Sequence, residues 1–365
     1  MELCKSFVLP IGGLSMDYYY KRFQLNLIAL SPLHIGSGEK YTAREFIYKK
    51  GEYYFPDMGI FYQEMIRLGL AEKFERFLVL PNNGRVRLNS FLDDNRIQSR
   101  DFGGYSIQET GLERDRSTIG NLNDISRFMR DGLGKPYIPG SSLKGAIRTI
   151  LLNTKWKDLN FVHGQGKDVK EDHRAIPWGP KDGKPIDDIF HEIRVSDSQP
   201  LSNDDLTIVQ KWDYSAKKNN NTPLPLYRES LKPFTKLSFT ITTTSERAYH
   251  LLRYLDKLAG EFYRDYEAFF LNEHSKPEYV QNNVQYPLYI GGGSGVWTKT
   301  VIHQANGIVQ KRYKRMRTKM VGKGVVKLAK TTPKQYKVKE EPRNLIKNSE
   351  NLYEMGKACF MIKEI

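Results

Sequence analysis

Apolar and polar residues alternate in five short stretches, at residues 23–30, 193–196, 237–242, 284–290 and 358–362. A period of two turns one set of side chains toward a core and the other toward water, so each stretch predicts a half-buried strand. Elsewhere the apolar residues recur at three and four. Leu143, Ala146, Ile147, Ile150 and Leu151 form one such set, and Leu251, Leu252, Leu255, Leu258, Ala259, Phe262 and Phe269 form another within residues 248–271. That spacing lines one face of a helix. The tracts 153–185 and 198–225 carry weak periodicity and predict insertions or mobile loops, the second built around Asn219-Asn220-Asn221. The tract 311–342, rich in Gly, Lys and Thr, predicts a flexible arm that orders on a partner.

Strands separated by helices and long polar stretches make an α+β chain, and predict a ferredoxin-like sheet with helices on one face and large insertions. A division near position 245 separates an N-terminal part, 1–245, from a C-terminal part, 246–365, that holds a glycine-rich loop and the basic arm. With 365 residues and 39% hydrophobic content, the chain can fill a core for one large domain or two ordinary ones. Its apolar runs are too short to span a bilayer, and residues 1–5 lack the basic-then-apolar order of a signal peptide. These features predict a cytoplasmic protein without a membrane partner. Cys4 and Cys359 stand alone at opposite ends, which argues against a disulfide framework or a thiolate zinc site.

Charge adds a partner class. The formal net charge is +15, and between Tyr279 and Lys339 thirteen Lys and Arg occur without one Asp or Glu. The rest of the chain is nearly balanced, with 44 basic against 42 acidic residues. Such a local excess is the footprint of a polyanion partner, because neutralised phosphates release counterions. The bland alternative is a solvated basic loop that aids solubility. Within this segment Lys311, Arg312, Lys314, Arg315, Arg317 and Lys319 surround Tyr313, a pattern suited to phosphate contact with stacking.

Three motifs could carry binding chemistry. In Lys135-Pro136-Tyr137-Ile138-Pro139-Gly140-Ser141-Ser142-Leu143-Lys144-Gly145-Ala146-Ile147-Arg148, Ser141 or Ser142 is placed to cap a helix. Its N-terminus, with Lys144 and Arg148 four residues apart, could hold a phosphate; a capped amphipathic helix with a solvated basic face explains the same residues. His34, Gly36 and Gly38 follow the first strand, where glycines permit close backbone approach and His34 could donate to RNA or act as acid or base. Gly291, Gly292 and Gly293 open a glycine loop followed by Trp297 and Lys299. It lacks the Gly-Lys-Ser/Thr ending of a P-loop and the third glycine of a dinucleotide fingerprint. Close approach to a single strand with some stacking fits it, as does a plain turn beside a buried Trp. The Asp pairs and the seven histidines match no metal-ligand spacing, so no metal is expected, and with both nucleotide patterns failed no cofactor is expected either.

The stretch Tyr137-Ile138-Pro139-Gly140-Ser141-Ser142-Leu143-Lys144-Gly145-Ala146-Ile147-Arg148 is similar to the signature of the RAMP superfamily of CRISPR proteins, and Ile290-Gly291-Gly292-Gly293-Ser294-Gly295 looks like its glycine-rich loop. With residues 31–38, Arg194-Val195-Ser196-Asp197-Ser198 and Met355-Gly356-Lys357, the order resembles the fifth-subunit family of type III-A Csm complexes. The resemblance implies an RNA-recognition-motif-like core, in two such parts, that caps the 3′ portion of a guide RNA. It further implies contacts with a backbone RAMP subunit and the small subunit, help in guide maturation through a host nuclease, and target cleavage left to neighbours. The backbone subunits carry a catalytic Asp after the corresponding turn, whereas here the chain continues Glu39-Lys40-Tyr41-Thr42-Ala43-Arg44 and the next Asp is Asp57, a departure that implies a non-catalytic role with no catalytic residue. The rival within the superfamily is a metal-independent endoribonuclease using His34 and Lys144.

Overall fold

The computed structural model describes residues 19–81, 86–98, 101–108, 122–156, 162–163, 170–171, 188–279, 286–299, 325–330 and 352–365. In chain order the strands are β1 (Lys21–Ala29), β2 (Gly36–Thr42), β3 (Ile47–Lys49), β4 (Glu52–Phe55), β5 (Tyr105–Gln108), β6 (Asp124–Phe128), β7 (Val162–His163), β8 (Lys170–Glu171), β9 (Ile193–Val195), β10 (Leu206–Ser215), β11 (Asn220–Leu231), β12 (Lys236–Thr243), β13 (Pro287–Tyr289), β14 (Val325–Lys330), β15 (Leu352–Glu354) and β16 (Lys357–Glu364). The main helices are α1 (Met58–Arg67), α2 (Ala71–Val79), α3 (Leu88–Asp94), α4 (Gly140–Thr154), α5 (Glu246–Arg253) and α6 (Leu255–Tyr266).

Alternation in the sequence becomes sidedness in the first sheet. On β1, Phe23, Leu25, Leu27 and Ala29 are buried while Arg22, Gln24 and Asn26 are exposed. Phe239 and Ile241 of β12 and Phe360 of β16 continue the buried face. Each large side chain removed from water there contributes about 1.5–3 kcal/mol. Leu143, Ile147, Ile150 and Leu151 of α4, with Leu255, Leu258 and Phe262 of α6, join the same core. Strand order is β13-β16-β1-β12-β9, with every neighbouring pair antiparallel. Taking β1, α4, β9, β12, α6 and β16 in turn gives a βαββαβ circuit, the ferredoxin-like arrangement expected. Among the described residues one such unit is present. It draws on both sides of position 245, since β16 runs beside β1 from Phe23 opposite Glu364 to Ala29 opposite Ala358.

Several expected loops are strands. Residues 206–231 form the long hairpin β10–β11, turned at Asn219 with a left-handed φ of 45°. Residues 325–330, placed in the flexible arm, are β14, which pairs with β10 and β15. Both joined a second sheet, ordered β15-β14-β10-β11-β6-β2, whose one parallel pair is β11 with β6. Within the run 284–290, Pro287–Tyr289 form β13, and the 248–271 helix breaks at Tyr254 between α5 and α6. Strands β3, β4 and β5 form a third sheet, and α1–α3 carry a separate cluster built on Phe61, Phe74, Phe77 and Phe91. Among the described residues no helix is long and apolar enough to cross a membrane.

Candidate nucleic-acid interface

Strand β1 ends in Ser31-Pro32-Leu33-His34, and this segment reaches the second sheet and the glycine loop together. Leu33 bridges to Leu231, and His34 bridges to Gly292, whose N–H donates to the His34 carbonyl at 2.7 Å. A Cβ on Gly291 (φ 83°) would run into that same carbonyl oxygen, so the close approach requires glycine. The His34 ring is buried, and its Nδ1 lies 2.6 Å from the Glu229 carbonyl oxygen. A carbonyl only accepts, so neutral His34 carries its proton on Nδ1. Burial pulls its pKa down to about 4 against the opposing effect of that hydrogen bond, and the nearby cations Arg228 and Lys299 add to the fall. His34 is therefore a neutral brace at pH 7. Gly36 and Gly38 are not a loop but the start of β2, at an irregular register beside β6.

Behind His34, Glu229 is fully buried and satisfied from three directions. It accepts from Tyr105 Oη and from the Phe128 N–H at 2.7 Å, and pairs with Arg130, itself 4% exposed, at 3.5 Å. The Arg130 guanidinium also covers the Tyr105 ring at 3.6 Å. Burial raises the Glu229 pKa, with Arg130 opposing the rise.

The glycine loop lies across one face of the second sheet. Val209, Lys211 and Asp213 alternate onto that face from β10, Lys327 and Ala329 join from β14, and Arg228 joins from β11 beside Val209. Gly293 sits over Arg228 and Met355, and Gly295 over Lys327. Asp213 pairs with Lys327 at 2.7 Å and with Lys211 at 3.5 Å. Asp213 thus holds Lys211 and Lys327, while Arg228 is close enough to Lys211 and to Lys299 for their charges to repel. Desolvation by the surrounding protein lowers the pKa of Arg228, of Lys211 and of Lys299, whose side chain still reaches solvent, and cation–cation repulsion lowers the two lysines further. Met355-Gly356-Lys357 forms the floor. Gly356 (φ 79°) fits under the Ile290 carbonyl, and the buried Lys357 ammonium meets Glu354 and Tyr263 Oη, each at 3.1 Å. Trp297 is buried and stacked on Phe270, so base stacking is not its role.

Helix α4 rests against the turn Trp297–Lys299, but its N-terminus is built differently from the expectation. Pro139 occupies the cap position, and neither Ser141 nor Ser142 caps; both lie in the first turn. The Gly140 N–H donates instead to Asp197 Oδ1 at 2.7 Å. That carboxylate matches the helix dipole and already fills the place expected for a phosphate. A Cβ at Gly140 would meet the Val195 and Ser196 carbonyl oxygens, which explains its glycine. Ser196 accepts from the Thr240 N–H and Ser198 from the Ile138 N–H, so residues 196–198 stitch the helix start to the sheet. Arg148 pairs with Asp188 at 2.8 Å and covers the Phe190 ring. Burial lowers the Lys144 pKa, while Asp188 opposes this and Arg148 adds to it.

The structure therefore brings His34, Gly291, Gly292 and Gly293 together and leaves Ser141, Ser142, Lys144 and Arg148 as a self-neutralised neighbour. Lys311, Arg312, Lys314, Arg315 and Arg317 lie outside the described residues. Sequence reasoning missed Arg228, Lys211 and Lys327. The available signal was a cation set within an apolar strand, as in Val325-Val326-Lys327-Leu328-Ala329. Among the described residues no group of three His, Cys, Asp or Glu could hold a metal ion.

Comparison with known proteins places these motifs. The sequence profile of the RAMP superfamily matches residues 26–286. A CRISPR system Cms protein Csm5 from Streptococcus thermophilus is 58% identical over 352 residues, covering 95% of this chain and 98% of the relative. This chain belongs to the Csm5 family of the RAMP superfamily. A second Csm5, from Mycobacterium tuberculosis (strain CDC 1551 / Oshkosh), is 30% identical over 328 residues, covering 79% of this chain and 85% of that protein. Two solved structures share the RAMP fold seen here. One is a chain of a cryo-EM Csm-crRNA-target RNA ternary complex of a type III-A CRISPR-Cas system, with a TM-score of 0.61 at 21% identity, covering 93% of this chain and 100% of that one. The other is T. onnurineus Csm5, with a TM-score of 0.56 at 17% identity, covering 92% and 99%.

Proposed function

We propose that this chain is a non-catalytic guide-RNA-binding subunit of a cytoplasmic type III-A effector complex in antiviral defence. In this reading it caps the 3′ portion of the guide and supports guide maturation and complex assembly. It stacks against a backbone RAMP subunit and the small subunit, and a host nuclease performs the trimming. The carrying observation is the glycine loop laid over Arg228 and Lys327, with Lys211, Lys299 and the carboxylate of Asp213 in the same charge cluster, in a chain of the Csm5 family. Arginine and lysine beside exposed backbone suit phosphate and sugar, which position a strand without reading its bases. The state of His34 supports the absence of catalysis: it is buried, its Nδ1 is engaged, and a pKa of about 4 makes it a weak base at neutral pH.

The test is binding of labelled single-stranded guide-like RNA across a salt series in EDTA, with the same samples inspected for cleavage. Intact RNA bound with an affinity that falls as salt rises is the expected result. Lys144→Ala/Arg148→Ala has a small effect on it, because Asp188 already neutralises part of that pair. Cleavage in EDTA that His34→Ala abolishes would replace this reading with the ribonuclease.

A further inference from the structure

We propose that Arg228 and Lys299, set against the backbone of Gly292 and Gly293, form a pocket for one phosphate group. The proposal rests on the RNA-binding reading above and assigns the residues that grip.

The first argument is unpaired charge. Several arginines of this fold meet acids: Arg127 meets Glu39, Arg130 meets Glu229, Arg148 meets Asp188 and Arg247 meets Glu192. Arg228 does not. It is half-buried on β11, and its Nη1 has the Met355 sulfur at 3.9 Å, a weak acceptor. Among the described residues neither Arg228 nor Lys299 has a carboxylate partner, and the nearby Asp213 is shared by Lys327 and Lys211. Two neighbouring cations that repel each other in a crowded place are costly until an anion bridges them.

The second argument is shape. The place a Cβ would take on Gly293 is 2.5 Å from Arg228 Nη1, and on Gly292 it is 3.2 Å from His34 Cδ2. Any side chain at 293 would displace the guanidinium, so the bare loop is what seats Arg228 at the surface of the site. A planar fork beside a point charge matches the oxygens of a phosphate. An internal phosphodiester and a terminal phosphate both present that chemistry.

The experiment uses the full chain and labelled single-stranded RNA, ending in either a 3′-hydroxyl or a 3′-phosphate, over a salt series. Arg228→Ala and Lys299→Ala each weaken binding by roughly tenfold. The double variant weakens it by less than the product of the two, because both hold one group. Its plot of log affinity against log salt is shallower by about 0.7, the value of one phosphate on a single strand. Arg228→Lys recovers part of the loss, and Lys299→Ala, at an exposed position, guards against misfolding as the cause. A 3′-phosphate that strengthens binding to wild type but not to the double variant assigns a terminal group; equal binding of both RNAs assigns an internal one. Wild-type binding with unchanged affinity and slope in the double variant overturns the pocket and leaves the RNA-binding reading standing. No salt-dependent binding by wild type overturns both.

Discussion

His34 supplies a sharp test of the site's construction, because its proton is withheld by the fold. The folded pKa is about 4 against 6.5 for the free side chain, chiefly through burial. Below pH 6.5 the unfolded chain takes up a proton that the folded chain refuses until about pH 4. Stability is therefore fully present above pH 6.5 and drains away as pH falls toward 4, by up to about 1.4 kcal/mol per pH unit and about 3 kcal/mol in all. Carboxylates of the chain also take up protons as pH falls, so the measurement is a difference. His34→Asn keeps an amide N–H for the Glu229 carbonyl and has no proton to gain. Urea unfolding of both proteins at pH 7, 6, 5 and 4 should show the gap between them changing in favour of the variant by about 3 kcal/mol as pH drops. Parallel curves through that window would refute the claim that His34 is held neutral.

Two further substitutions test the supports of the site. Glu229→Ala leaves buried Arg130 without its carboxylate and orphans the Tyr105 hydroxyl and the Phe128 N–H; a loss of about 3–5 kcal/mol is expected, read as a lower urea midpoint. Gly140→Ala drives a Cβ into the Val195 and Ser196 carbonyls, and overpacking of this kind costs about 1–3 kcal/mol, visible as a lower thermal midpoint.

The elements legible in the sequence are those buried on one side only. In β1, β12 and α4 the apolar period shows because the other face meets solvent. Strand β10 opens with Leu206, Thr207, Ile208, Val209 and Gln210 all buried, so no alternation appears, and its partner β11 carries Pro223 and Pro225. Those prolines are tolerated because β6 pairs with β11 at Tyr227 and Arg228, and among the described residues no strand pairs with the second side of β11 at Pro223 or Pro225. The three glycine positions were readable because a local run announced them. Lys211 and Arg228 lie on the two arms of the β10–β11 hairpin and Lys327 on β14, far along the chain, and only sheet pairing makes the three neighbours.

The same contrast decides between the two cationic places that the sequence offered. Both hold lysine and arginine near glycine-rich backbone, and local reading favoured the helix, since a helix start and two cations on one face make a recognisable anion site. Folding delivers Asp197 to the Gly140 N–H and Asp188 to Arg148, so the helix end is filled from within. At the glycine loop it delivers Arg228 and Lys327, with Lys211 and Lys299 within charge range of Arg228, and among the described residues the only carboxylate paired with any of these cations is Asp213. With charges screened beyond about 8 Å in physiological salt, a phosphate responds to its immediate surroundings and not to the overall +15. The helix is thus the strut that presents the turn Trp297–Lys299, and the unspent attraction for phosphate lies at the loop.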